Sequence, residues 1–72
     1  MTTYTVIYEK GDSTWGAYVP DLPGVVSIGD SQQEAEALIR QAVEFHIDGL
    51  KAEGLPVPPP TSVAGTVEIV AA

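Results

Sequence analysis

The stretch Tyr18–Ser31, "YVPDLPGVVSIGDS", decides how the chain folds. It holds two prolines, two glycines and two aspartates among apolar residues. Pro20 removes a backbone donor and so ends a strand. Asp21 can hydrogen-bond within its own turn, and Pro23-Gly24 suits a type II turn whose glycine takes positive φ. Leu22 stands between these turn residues. "VVSI" at 25–28 reads as a short strand that Gly29 breaks. Asp30 and Ser31 then launch a helix. The Ser31 hydroxyl can accept from a free N–H of the first turn, and Glu34, three residues on, can reach back, which is a capping box. The segment is therefore read as stiff scaffolding that fixes a helix over a sheet.

Working outward, residues 3–10, "TYTVIYEK", are rich in Thr, Tyr, Val and Ile and predict a strand. Residues 14–20, "TWGAYVP", predict a second strand, joined to the first by the turn "GDS". The helix is predicted over 32–53. At 100° per residue, Ala35, Leu38, Ile39, Ala42, Val43, Phe45, His46, Gly49 and Leu50 share one broad face. Gln33, Ala37, Arg40, Gln41, Glu44, Asp48 and Lys51 lie opposite. Gly54 is placed for a left-handed C-terminal cap. "LPVPPP" at 55–60 favours a semi-rigid polyproline spacer, and "SVAGTVEIVA" at 62–71 predicts a last strand. The expected architecture is one two-layer α/β (α+β) domain over 1–72, β-β-β-α-β, with one helix on a four-stranded mixed sheet of order 3-2-1-4.

The 72 residues form a domain too short to be more than marginally stable alone. There is no cysteine, so disulfides and thiolate metal sites are excluded. The chain is 44% apolar and 18% charged, as in globular domains. No apolar run reaches membrane-spanning length and the N-terminus has no signal-type segment, so the reading is cytoplasmic. The net charge of −7, with Lys10, Arg40 and Lys51 the only cations, argues against binding nucleic acid or anionic membranes and favours a basic partner.

"GVVSIGDS" has phosphate-loop spacing, but Asp30 stands where that loop needs lysine, so the turn-and-cap reading is preferred. Glu9 or Asp12, Glu34 or Glu36, and Glu68 fall on the elements that carry the carboxylates of ribonuclease H-type magnesium nucleases. Most acidic residues are simply solvated, and no catalytic or metal site is assigned. His46 is read as a packing histidine, since no nucleophile is placed beside it. No cofactor is expected. Both sheet faces carry apolar or aromatic residues, while one helix covers only one face. Tyr4, Tyr8, Trp15, Tyr18, Val67, Ile69 and Val70 are the candidate interface residues, and a homo-oligomer, dimer or larger, is expected.

The ordered set "AYVPDLPGVVSIGDS", "EAEALIRQAVEFHIDGL" and "EGLPVPPP" resembles the HicB-like antitoxin family over nearly the whole chain. The resemblance implies a partial ribonuclease H-like fold without the catalytic set. It also implies a type II toxin–antitoxin role, in which the chain masks the active site of a small, usually basic HicA-type RNA-cleaving toxin. Full-length members usually add a C-terminal DNA-binding domain. Twelve residues follow Pro60, so none is expected here, and an orphan oligomer with another protein partner is the alternative.

Overall fold

The computed structural model describes residues 2–70. Its order is β1 (Ile7–Lys10), β2 (Trp15–Tyr18), β3 (Val26–Gly29) and α1 (Gln32–Ala52). The strands form one antiparallel sheet in the order β1-β2-β3. The expected hairpin and the neighbour relations of the first three strands are present.

The expected fourth strand is not. Residues 62–70 form no strand, and Ala71, the last residue of that expected strand, lies outside the described residues. The sheet therefore has three strands, and the order 3-2-1-4 loses its last member. A sequence reports extended propensity; a strand also needs a neighbour for its N–H and C=O groups, and here it has none. The first strand is likewise shorter than the 3–10 expected, because only Ile7–Lys10 finds ladder partners on β2.

The alternation of the strands sets which face is buried. Tyr8, Ala17 and Ser27 lie in one row across the sheet, as do Lys10, Trp15 and Gly29. This is the helix side. The core consists of Ala17, Val19, Leu22, Val25, Ala35 and Ile39, with Tyr4, Val6, Tyr8, Trp15, Ala42 and Val43 packed around it. Ser27 is buried too, and its hydroxyl donates to the carbonyl of Ala35 at 2.8 Å, tying β3 to the first turn of α1.

Two turns build the loop before β3. Leu22 N donates to Val19 O at 3.1 Å, and Val25 N donates to Leu22 O at 3.1 Å. Pro23 and Gly24 are the central residues of the second turn, and Gly24 has φ +88°, the value a type II turn requires. The pair of turns folds Leu22 inward until it is completely buried.

The helix starts at Ser31, whose Oγ accepts from Glu34 N at 3.1 Å while Glu34 Oε1 accepts from Asp30 N at 2.9 Å. It ends in a Schellman arrangement. Leu55 N donates to Leu50 O and Gly54 N to Lys51 O, with Gly54 at φ +70°.

The helical stripe is narrower than the sequence pattern suggests. Ala35 and Ile39 are buried, but Leu38 is 38% exposed and Phe45 82% exposed. Seven residues apart, they lie on one flank of the stripe. A 21-residue helix is about 31 Å long, whereas three strands span only about 10 Å between outer axes. The helix outreaches its sheet, so its flank and its C-terminal half have little to pack on.

The glycines of this region separate strain from crowding. A Cβ on Gly29 would meet Ala35 N at 2.7 Å, whereas one on Gly24 meets nothing within 4 Å and suffers only the unfavourable φ. Gly24→Ala should cost about 1–2 kcal/mol. Gly29→Ala should cost more, because sheet and helix backbone must move apart. Urea unfolding of the two variants should rank them in that order; a costlier Gly24→Ala would contradict the close contact at Gly29.

Candidate protein-binding surface

The sheet side away from the helix is built from two rows. Ile7, Tyr18 and Val26 form one, and Glu9, Gly16 and Ile28 the next. Ile7 is half-buried, Tyr18 is 40% exposed, Val26 62% and Ile28 70%. This side is an apolar patch with one carboxylate, Glu9, inside it. Asp12 in the β1–β2 turn and Asp30 at the helix start lie at the end of the sheet past the Lys10–Trp15–Gly29 row, where they outnumber the exposed Lys10.

The seven candidate interface residues separate into three groups. Tyr4, Tyr8 and Trp15 are half-buried and pack on the core from the helix side, so they are not free docking aromatics. The Tyr4 hydroxyl donates to the carbonyl of Pro58. Partial burial and the nearby Glu36 carboxylate push the Tyr8 hydroxyl's pKa up, against the opposing pull of Arg40. Tyr18 alone of the four aromatics sits on the open side. Val67, Ile69 and Val70 are exposed on the segment after Ser62.

Sequence reasoning missed Val26, Ile28 and Phe45 as surface residues. A signal existed for the first two. Gly29 has to face the helix it launches, and period-two alternation then turns Val25 and Ser27 inward and Val26 and Ile28 outward. Phe45 also lines a groove of ≈ 420 Å³ between the β3 side and the helix C-terminal half, with Val26, His46, Leu50 and Glu53.

Asp21 has a definite structural task. Its two carboxylate oxygens accept from the backbone N–H and hydroxyl of both Thr61 and Ser62, at 2.9–3.0 Å. The Thr5 hydroxyl donates to Ser62 O at 2.8 Å. The end of the proline spacer is thus fastened to the loop and to the chain before β1. The Ser62 backbone donation, with the other hydrogen bonds, holds the Asp21 carboxyl below its ordinary pKa of 3.8, against a smaller opposing effect of desolvation.

The carboxylates of the nuclease reading do not converge. Glu9 is on the open sheet side, Glu34 is engaged at the helix cap and Glu68 is on the exposed segment. Among the described residues no three His, Asp or Glu side chains are grouped to hold a metal ion. No described helix is long and apolar enough to cross a membrane.

The profile of the HicB-like antitoxin of bacterial toxin–antitoxin systems matches residues 4–70. The chain belongs to the HicB-like antitoxin family. A UPF0150 protein of Synechocystis sp. is 45% identical over 56 residues, covering 76% of this chain and 71% of its own. A UPF0150 protein of Helicobacter pylori is 39% identical over 49 residues, 68% of each chain. A 14.9 kDa protein in the rep-hol intergenic region of Haemophilus phage HP1 is 38% identical over 47 residues, 65% of this chain but 35% of its own. No solved structure matches.

Because the folded carboxyl of Asp21 is held below its unfolded pKa, its contribution to stability is fully present above pH 3.8 and is lost as pH falls through the lower folded value. The amides of Thr61 and Ser62 should be protected from hydrogen exchange at neutral pH and lose protection on acidification. Asp21→Ala should remove that protection at every pH. Protection that survives in Asp21→Ala would contradict the clamp.

Proposed function

We propose that this chain is a non-enzymatic, cytoplasmic binding module that neutralises a small, basic, RNA-cleaving toxin of HicA type by covering its active site. Membership of the antitoxin family carries this reading. In this view the strand–strand–strand–helix order is a partial ribonuclease H-like fold whose carboxylates have been put to other uses.

The open sheet side is the surface we assign to the toxin. Its apolar rows through Tyr18, Val26 and Ile28 provide the desolvated centre that a stable protein contact needs. The net charge of −7, with Asp12 and Asp30 beside the patch, accelerates and orients the approach of a basic partner.

The test is co-expression with the small basic protein encoded beside this chain, followed by size exclusion and a growth assay. A stable mixed complex that relieves growth arrest is the expected result. Ile28→Lys puts a like charge against the toxin at an exposed site, so it should weaken binding by about 10-fold or more while leaving the unfolding midpoint unchanged. Unaltered binding in Ile28→Lys would move the toxin to another face.

A further inference from the structure

The segment after Ser62 has the composition of a strand and the surroundings of none. Val63, Val67, Ile69 and Val70 are 92%, 83%, 62% and 98% exposed. Its root is fixed by the Asp21 clamp and by Thr5, beside the chain that leads into β1. Residues 63–70 are exposed throughout, and the molecule measures 49 × 26 × 20 Å.

The surface area measures how much of the chain is left uncovered. A compact protein of 7.6 kDa exposes about 4,300 Å². This chain exposes 5590 Å², an excess of roughly 1,300 Å² over that scaling. A standard protein interface needs about 800 Å² from each partner. The excess supplies that area if the segment is covered.

A fitting receptor lies on the same molecule. The edge of β1 away from β2 has no strand beside it among the described residues. Between that edge and α1 runs a groove of ≈ 310 Å³, lined by Val6, Tyr8, Ile39, Arg40 and Val43. In an extended strand Val63, Gly65, Val67 and Ile69 share one face, and Ala64, Thr66, Glu68 and Val70 the other. Laid along β1, the first set fills the groove while Glu68 stays at the surface. Glu68 is the one ionisable side chain of the segment and faces away from the groove, where Glu36 stands beside Arg40.

We infer that two copies of this chain exchange residues 63–70, each segment adding a fourth strand to the β1 edge of the other copy. The segment starts beside Thr5 yet pairs with no strand of its own chain, and both it and the β1 edge are left open, so a second copy is the partner that covers them. The pairing satisfies two rows of open backbone groups per dimer and buries two apolar segments that a single chain leaves in water. This inference stands apart from the toxin reading, and its test uses this chain alone.

Light scattering on the purified chain at ~10 µM should give twice 7.6 kDa. The double variant Val67→Pro/Ile69→Pro removes two donors and the strand geometry from a segment that the body does not pack on. It should convert the dimer to single chains with the helical circular dichroism of the body retained. The outward amides of Ile7–Lys10 should be protected from exchange in the dimer and exchange at least 10-fold faster in the proline variant. A single-chain mass for the unmodified protein, a dimer that survives both prolines, or unprotected outward β1 amides in the dimer would each overturn the exchange.

Discussion

The structure depends on what two neighbouring residues do in opposite directions. Leu22 is completely buried because successive turns reverse the chain on either side of it. Asp21, one residue earlier, points outward and holds Thr61 and Ser62 with four hydrogen bonds. One side chain closes the core between sheet and helix, and the other fastens the far end of the chain to the same loop. The proline-rich spacer crosses from helix end to β1 as a stiff rod, and only its anchored end gives the following segment a defined origin. Without the double turn, neither the core nor that anchor would exist.

The core is small for the elements it joins. Among the described residues six apolar side chains are buried, all near the N-terminal half of α1, the sheet centre and the turn. A domain of this size cannot cover both faces of a sheet and every side of a long helix. Most of the exposed large apolar residues lie on the open sheet side, in the groove by Phe45, or on residues 63–70; Leu38 and Leu55 stand apart. A marginal domain with organised apolar surfaces gains stability from partners, which is the thermodynamic position expected of a binding protein.

The open sheet side and the free β1 edge do different physical work. The sheet side offers side chains on a flat patch, with carboxylates beside it, and suits a folded basic partner. The β1 edge offers backbone hydrogen bonds, and suits an extended segment. Because β1 lies at one margin of the sheet, a strand added there would widen the open side without hiding Tyr18, Val26 or Ile28.

Much of this was legible in the sequence because it is local. Pro23-Gly24, the Ser31–Glu34 spacing and Gly54 each encode a backbone conformation within four residues, and turns and caps depend on little else. The ordered motifs also announced the family. What the sequence left open is what depends on distant groups. Alternation put Tyr4 and Tyr8 on one face but could not say that the helix would cover that face. Helical periodicity included Leu38 and Phe45 in the apolar stripe, yet packing reaches only as far as the three-stranded sheet extends. Asp21 could be read as a turn residue, whereas its partners stand forty residues away. The last segment shows the division most plainly: its residues specify an extended chain, and only tertiary structure decides whether a neighbour is there to make it a strand.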